Sequence, residues 1–318
     1  MSGLLKLEPV LMERIWGGSR LKTEWGYKSS LDTGLGECWT VSCNEQADSL
    51  VTEGEFKGKR LSQLWREEAG IFGEARGKDF PLLVKILDAK DTLSLQVHPD
   101  DAYAEEHEGC RGKWECWYIL DCPENAELLI GNRATDRQEL RRMVEEKRWD
   151  DLINRVPVKK GDFIRLDPGT LHAITAGVLI LEVQENSDVT YRVYDYDRLQ
   201  NGKPRQLHIK QSLDVIRVPD HITTADLTRT DERENELQLL AKTSRVKVWT
   251  LKVSGSVSIP IPHWQIASIL EGSGRINGME VKRGENLIIP EDCGELKIEG
   301  ELRVNLAQAR ESSTGDDK

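Results

Sequence analysis

Residues 161–174 read GDFIRLDPGTLHAI. Gly161-Asp162 is a turn pair, and it leads into the apolar positions Phe163, Ile164 and Leu166. Pro168-Gly169 makes a second turn, and His172 opens another apolar run. Strand, turn and strand, with an imidazole at the head of the second strand, is the arrangement by which a β-barrel delivers a histidine to its interior. A chance histidine after a turn is the ordinary alternative, so the neighbouring runs must decide.

Those runs are short and strand-like: PLLVKILDA (81–89), TLSLQVHP (92–99), CWYILDC (116–122) and VLILEVQENS (178–187). Turn residues punctuate them, and neither GxGxxG nor GxxxxGKS occurs, which favours a mainly β sandwich or barrel over a βαβ nucleotide fold. Helical periodicity is confined to a few places. LSQLWREEAGIF (61–72) and LHIKQSLDVI (207–216) are two of them. TDRQELRRMVEEKRWDDLI (135–153) is a third, with a capping pair at Asp136 and Glu139 and one apolar face at Leu140, Met143 and Val144. The charged segment TRTDERENE (228–236) reads as a linker or hairpin tip, and the domain boundary is placed near 220. VKKGDFIRLDPG (158–169) is echoed by VKRGENLIIPED (281–292), as a duplicated β-barrel unit would be, but the second copy has no counterpart of His172. The tail 310–318 is expected to be disordered.

The 318 residues carry 44 Lys and Arg against 55 Asp and Glu, a net charge of −11. With no long basic stretch, this balance argues against a nucleic-acid scaffold, and a few placed cations must capture any anionic ligand. The N-terminal stretch MSGLLKLEPVLMERIWGG is interrupted by Lys6, Glu8, Glu13 and Arg14, so it is not read as a signal peptide. No apolar run is long enough for a membrane span. The six cysteines form no CxxC pair and read as reduced cytosolic thiols, so the expected location is the cytoplasm.

Leu93, Leu95 and Val97 alternate with Ser94, Gln96 and His98 in LSLQVHPDD, so Gln96 and His98 share one strand face. An isolated QxH is ordinarily a solvated face. In GKWECWYIL (112–120) the same alternation puts Lys113, Glu115 and Trp117 on one side and Trp114, Cys116 and Tyr118 on the other. Lys113 and Glu115 alone would be an ordinary surface ion pair. Together with His172, however, these residues amount to two imidazoles, a carboxylate and an amide oxygen from three strands, a reasonable donor set for a divalent transition metal. His107, His208, His221 and His263 have no comparable setting and read as surface or structural. In LILEVQENSDVTYRVYDYDR (179–198), Arg192 has two readings: partner of a carboxylate, or a fork of donors for an oxyanion or phosphate.

The motifs QVHPDD, GKxECWYI, GDxxxxxPGTLHAI and SDxTYRVYDYDR, with IWGG (15–18) and GECW (36–39), resemble the short bacterial type I mannose-6-phosphate isomerases. That resemblance implies two cupin (jelly-roll β-barrel) domains, with a few helices inserted and at the junction. Residues 1–220 would be the catalytic cupin, with a helical insert at about 135–153, and residues 221–318 a degenerate cupin without metal ligands. It implies one zinc ion per chain held by Gln96, His98, Glu115 and His172, with Arg192 as active-site arginine and Lys113 and Glu182 lining the pocket. The base is open among Glu182, a metal-bound histidine and a water, with Glu182 taken as the candidate. The implied reaction is the interconversion of mannose 6-phosphate and fructose 6-phosphate through an enediol, by a monomer or weak homodimer with no nucleic-acid or membrane partner. Two departures, Trp114 and Cys38, are expected to reshape the pocket rim. An Fe(II) oxygenase using the two-histidine, one-carboxylate triad and a non-catalytic sugar-binding cupin are the rival readings.

Overall fold

The computed structural model describes residues 3–30, 34–44, 47–73 and 77–309. Three antiparallel sheets dominate it. A seven-stranded sheet runs in the order Thr228–Arg229, Asp162–Leu166, Glu115–Asp121, Leu179–Glu185, Leu82–Asp88, Leu35–Val41 and Val10–Gly18. A five-stranded sheet runs Ile153–Pro157, Glu127–Asn132, His172–Ala173, Leu95–Val97 and Tyr191–Tyr194. The third sheet is built mainly from Gln238–Lys242, Val246–Ile261, Gln265–Ile276, Asn286–Ile289 and Gly294–Ala309. The architecture is therefore mainly β and cupin-like, and among the described residues no helix is long and apolar enough to cross a membrane.

The seven-stranded sheet is covered on both faces, which is why the strands Leu35–Val41, Leu82–Asp88 and Leu179–Glu185 are buried along their whole length. Along Glu115–Asp121, Trp117 and Ile119 point into a cluster with Leu128, Ile130 and Ile164, between this sheet and the five-stranded one. Trp114, Cys116 and Tyr118 point the other way. They join a second cluster with Val248, Ile266 and Ile288 of the third sheet, as the period-two alternation requires. Cys38 lies in that second cluster too, so both departures pack in the core behind the sheet. Neither Trp114 nor Cys38 reaches a pocket rim.

Two segments cross the boundary expected near residue 220. Leu5–Glu8 pairs antiparallel with Asn286–Ile289, with Leu5 opposite Ile288, so the beginning of the chain belongs to the third sheet. Thr228–Arg229, inside the stretch read as a linker, pairs with Asp162 and Phe163 at the edge of the seven-stranded sheet. The two echoed segments do share a turn. Gly161 and Gly284 take φ of +88° and +90°, a conformation open to glycine, one and two residues before the strands Asp162–Leu166 and Asn286–Ile289.

The expected helices form, but in pieces. Residues 135–153 give Arg137–Glu145, capped by Asp136, then Trp149–Leu152, interrupted where Lys147 turns to φ +55°; Ile153 already starts a strand. Residues 61–72 give Leu61–Glu67 and Ala69–Phe72, broken at Glu68. Residues 207–216 give Ile209–Val215. A further helix, Asp101–Glu108, follows the break at Pro99 and is capped by the Asp100 carboxylate accepting from the Tyr103 N–H at 2.9 Å. The tail 310–318 lies outside the described residues.

Candidate functional site

The site forms where the inner faces of the five- and seven-stranded sheets meet. Register does the assembling. His172 and Arg192 both stand directly opposite Gln96, on the two strands that flank Leu95–Val97. His98 follows at the end of that central strand, where Gly169 N–H donates to the His98 carbonyl at 2.8 Å. The Pro168-Gly169 turn therefore fastens the two histidine-bearing segments to each other. Glu115 comes from the opposing sheet, at the first position of its strand.

His98, Glu115 and His172 bring their ligand atoms within 4.8 Å of one another, and all three are buried. Each imidazole is locked by its far nitrogen. His98 Nδ1 lies 2.8 Å from the Val189 carbonyl and His172 Nδ1 lies 2.9 Å from the Thr170 carbonyl. A carbonyl only accepts, so Nδ1 carries the proton in each ring and the bare Nε2 lone pair faces inward. His172 Nε2 then sits 3.3 Å from Glu115 Oε1, a buried oxygen with no hydrogen-bond partner among the described residues. Two lone pairs facing each other in a dry site are what a cation reconciles, and the two-imidazole, one-carboxylate set suits a divalent transition metal.

The electrostatics favour the same protonation states. Burial pushes both imidazoles below their usual range, helped at His98 and His172 by the Lys113 cation, so they remain neutral. Burial alone would raise the Glu115 carboxyl, but the Lys113 ammonium that donates to it outweighs burial and holds it below the usual carboxylate range. Lys113 Nζ donates to Glu115 Oε2 and lies 3.1 Å from His98 Nε2. The ammonium thus takes one oxygen of the carboxylate, and the other oxygen would face a metal ion. The Gln96 amide reaches His172 Nε2 at 3.4 Å and is only half-buried, so it marks the accessible margin.

Among the described residues no carboxylate pairs with Arg192. The nearest candidate, Asp195, is occupied by Arg198 at 2.5 Å and by Arg205 at 2.7 Å. The Arg192 Nε is buried without a hydrogen-bond partner among the described residues, which removes the simple ion-pair reading. Burial and the neighbouring Arg205 press its pKa down. Glu182 is buried on the face that carries Glu115. It accepts from Trp117 Nε1 at 3.1 Å and lies 3.4 Å from Lys85 Nζ. Burial first, and then the Glu115 charge, raise its pKa against the pull of Lys113 and Lys85.

Several contributors stand outside the sequence-level set. His208, read as surface or structural, pins the active-site strand: Arg192 N–H donates to His208 Nδ1 at 3.2 Å and His208 N–H to the Arg192 carbonyl at 2.8 Å. Lys85 lies between Glu182 and the Trp39 ring, 4.9 Å from its centroid. Glu37 continues the charged row, bonded to Arg14 at 2.8 Å and to Trp39 Nε1 at 2.6 Å. Lys85, charged in the middle of the apolar run LLVKIL, is a signal that could have pointed to this row.

A mainly β, cupin-like protein with a buried two-histidine, one-carboxylate centre is the class this fold and site define. A family model described as phosphomannose isomerase type I, catalytic domain, matches residues 4–122. The mannose-6-phosphate isomerase of Streptococcus mutans is 41% identical over 319 residues, covering 98% of this chain and 100% of that protein. The crystal structure of the mannose 6-phosphate isomerase from Bacillus subtilis superposes with a TM-score of 0.87 at 37% identity, covering 96% of this chain and 100% of that one. A mannose 6-phosphate isomerase bound with zinc and yttrium shares the fold, with a TM-score of 0.79 at 16% identity over 98% and 100% of the two chains. The chain belongs to the type I mannose-6-phosphate isomerase family, the aldose–ketose isomerases. None of these proteins bears the name of an oxygenase or of a non-catalytic sugar binder, so the two rival readings have no support.

Proposed function

We propose that this protein interconverts mannose 6-phosphate and fructose 6-phosphate with one zinc ion held by His98, Glu115 and His172, and with the Gln96 amide as a fourth ligand. The single observation that carries the metal assignment is the inward His172 Nε2 lone pair facing the unpartnered Glu115 Oε1, with His98 Nε2 3.5 Å from the other oxygen of that carboxylate. Bound there, zinc would act as a Lewis acid on the oxygens at C1 and C2 of the sugar. The chain's own residues do the rest. The free guanidinium of Arg192, opposite Gln96, presents donors to the oxygen on which charge grows as the C2 proton leaves. Lys113 supplies a second cation for substrate oxygens, and Glu182, with its raised pKa, moves the proton between C2 and C1 through the enediol.

Every proposed ligand comes from one chain, so a monomer or weak homodimer suffices, and we place it in the cytoplasm. Residues 1–220 read as the catalytic unit and 221–318 as a second unit whose described residues hold no metal-ligand cluster. A coupled isomerase assay with metal analysis tests the proposal. The purified protein should contain zinc and exchange the two hexose phosphates; EDTA should stop it and zinc restore it. Arg192→Ala should lower kcat by about 10²–10³-fold, the range for one transition-state donor, with zinc content unchanged. Absence of exchange in folded, metal-replete protein would sink the reading, and loss of zinc from Arg192→Ala would remove the role given to that residue.

A further inference from the structure

The segment that carries Lys113 into the site is not a strand; the strand begins only at Glu115. It is held by its backbone from several sides. Lys113 N–H donates to the Pro99 carbonyl at 3.1 Å, next to His98. Gly112 N–H donates to Asp101 Oδ1 at 2.9 Å, and Trp114 N–H donates to Glu185 Oε2 at 3.0 Å. The Trp114 carbonyl accepts from Glu185 N–H at 3.0 Å, which closes the last of these bonds into a ring.

Two of those fastenings depend on carboxylates, and both carboxylates turn their second oxygen to the same guanidinium. Arg245 Nη1 lies 2.5 Å from Glu185 Oε1, and Arg245 Nη2 lies 2.6 Å from Asp101 Oδ2. Arg245 belongs to neither catalytic sheet. It sits in the turn between Gln238–Lys242 and Val246–Ile261, in the third sheet. Glu185 is nearly inaccessible, at 5% exposure, so without a cation it must move, bind a proton or stay buried as an unpaired charge. A planar fork reaches two carboxylates at once, which a lysine ammonium at the same place cannot do with fixed geometry.

We infer that Arg245 is a positioning residue for the isomerase site. Through Asp101 and Glu185 it fixes the Gly112–Trp114 segment, and with it Lys113 and Glu115 relative to His98. The third sheet then serves catalysis through this side chain. This rests on the isomerase reading for its kinetic arm only.

The test uses the full-length protein, zinc-loaded for turnover and cobalt-loaded for visible absorption, which reports ligand geometry without turnover. Arg245→Met should lower kcat by about 10- to 100-fold, the cost of a small misplacement of catalytic groups, while KM changes less. The cobalt bands should shift and cobalt affinity weaken. Arg245→Lys should fall between Met and the parent, and guanidinium added to Arg245→Ala should recover part of kcat. Glu185→Gln keeps an acceptor for Trp114 N–H but loses its charge. It should show the same kcat loss and non-additivity with Arg245→Met, and it carries the test if Arg245→Met fails to fold. Parent-like kcat and an unchanged cobalt spectrum in Arg245→Met and Glu185→Gln would overturn the inference. So would kcat losses that only follow the fraction unfolded. If the parent itself shows no hexose-phosphate exchange, the isomerase reading fails, and the cobalt spectra alone still decide for or against Arg245.

Discussion

Glu182 is the residue whose protonation the pH profile should report. A general base works only when ionised, and burial together with the Glu115 charge raises this carboxyl above its ordinary 4.5. As pH falls, kcat should therefore decline at a higher pH than an unperturbed glutamate would give. Glu182→Gln should cost about 10²–10⁴-fold in kcat and abolish that acid limb. A limb that survives in Glu182→Gln would transfer the base role to another group. At this scale the site was legible where the sequence alternates: period two alone puts Gln96 beside His98 and Lys113 beside Glu115. Arg192 was ambiguous, because nothing in the sequence reveals that Asp195 is already taken by Arg198 and Arg205. Arg245 and His208 were invisible for the same reason. Arg245 pairs with carboxylates 60 and 144 residues away and His208 bonds to the backbone of Arg192, and neither contact has a periodicity to betray it.

Elements were legible by type and less so by extent. TLSLQVHP was read over 92–99, and only Leu95–Val97 is a strand, since Pro99 cannot donate to a ladder and the segment turns toward the helix Asp101–Glu108. The pieces of the 61–72 and 135–153 helices break where individual residues leave helical backbone, a matter of tertiary docking more than of propensity. The Gly112–Trp114 segment is the element on which most depends. A Cβ added at Gly112 would come within 2.5 Å of the Asp100 backbone carbon and 2.6 Å of the Asp101 nitrogen. Backbone cannot swing aside as a side chain does, so Gly112→Ala should push Lys113 away from the Pro99 carbonyl. Loss of about 1–3 kcal/mol of stability is expected in denaturant titrations, as for other overpacked sites. A clear drop in kcat should accompany it, and unchanged kinetics would mean that this close approach does not set the site.

Across the whole molecule, the third sheet is welded to the catalytic part by aromatic packing. Trp264 meets Trp65, Phe72 and Phe80 with ring centroids 5.8, 5.4 and 5.6 Å away. These rings lie in one cluster with Val84, Tyr118 and Leu181 of the seven-stranded sheet. Trp264→Ala should cost about 3–5 kcal/mol, as large-to-small core changes do. Calorimetry should give one transition at a lower midpoint; two separate transitions would mean that the sheets are independently stable. The mainly β class and the echo between 158–169 and 281–292 were legible in the sequence. The interleaving of the sheets was not, because Leu5–Glu8 is too short a run to announce its partner.

That interleaving bears on how the chain is made. Leu5–Glu8 leaves the ribosome long before the strand it pairs with, Asn286–Ile289, has been synthesised. The edge of the third sheet therefore cannot close until that later strand has been made. Such long-range pairing makes for slow final assembly, with strand edges open to wrong partners until then. The catalytic sheets can begin to condense on the nascent chain. The guanidinium of Arg245, carried by the third sheet, follows every strand of the two catalytic sheets along the chain, so a newly made molecule gains this fastening only after those strands have been synthesised.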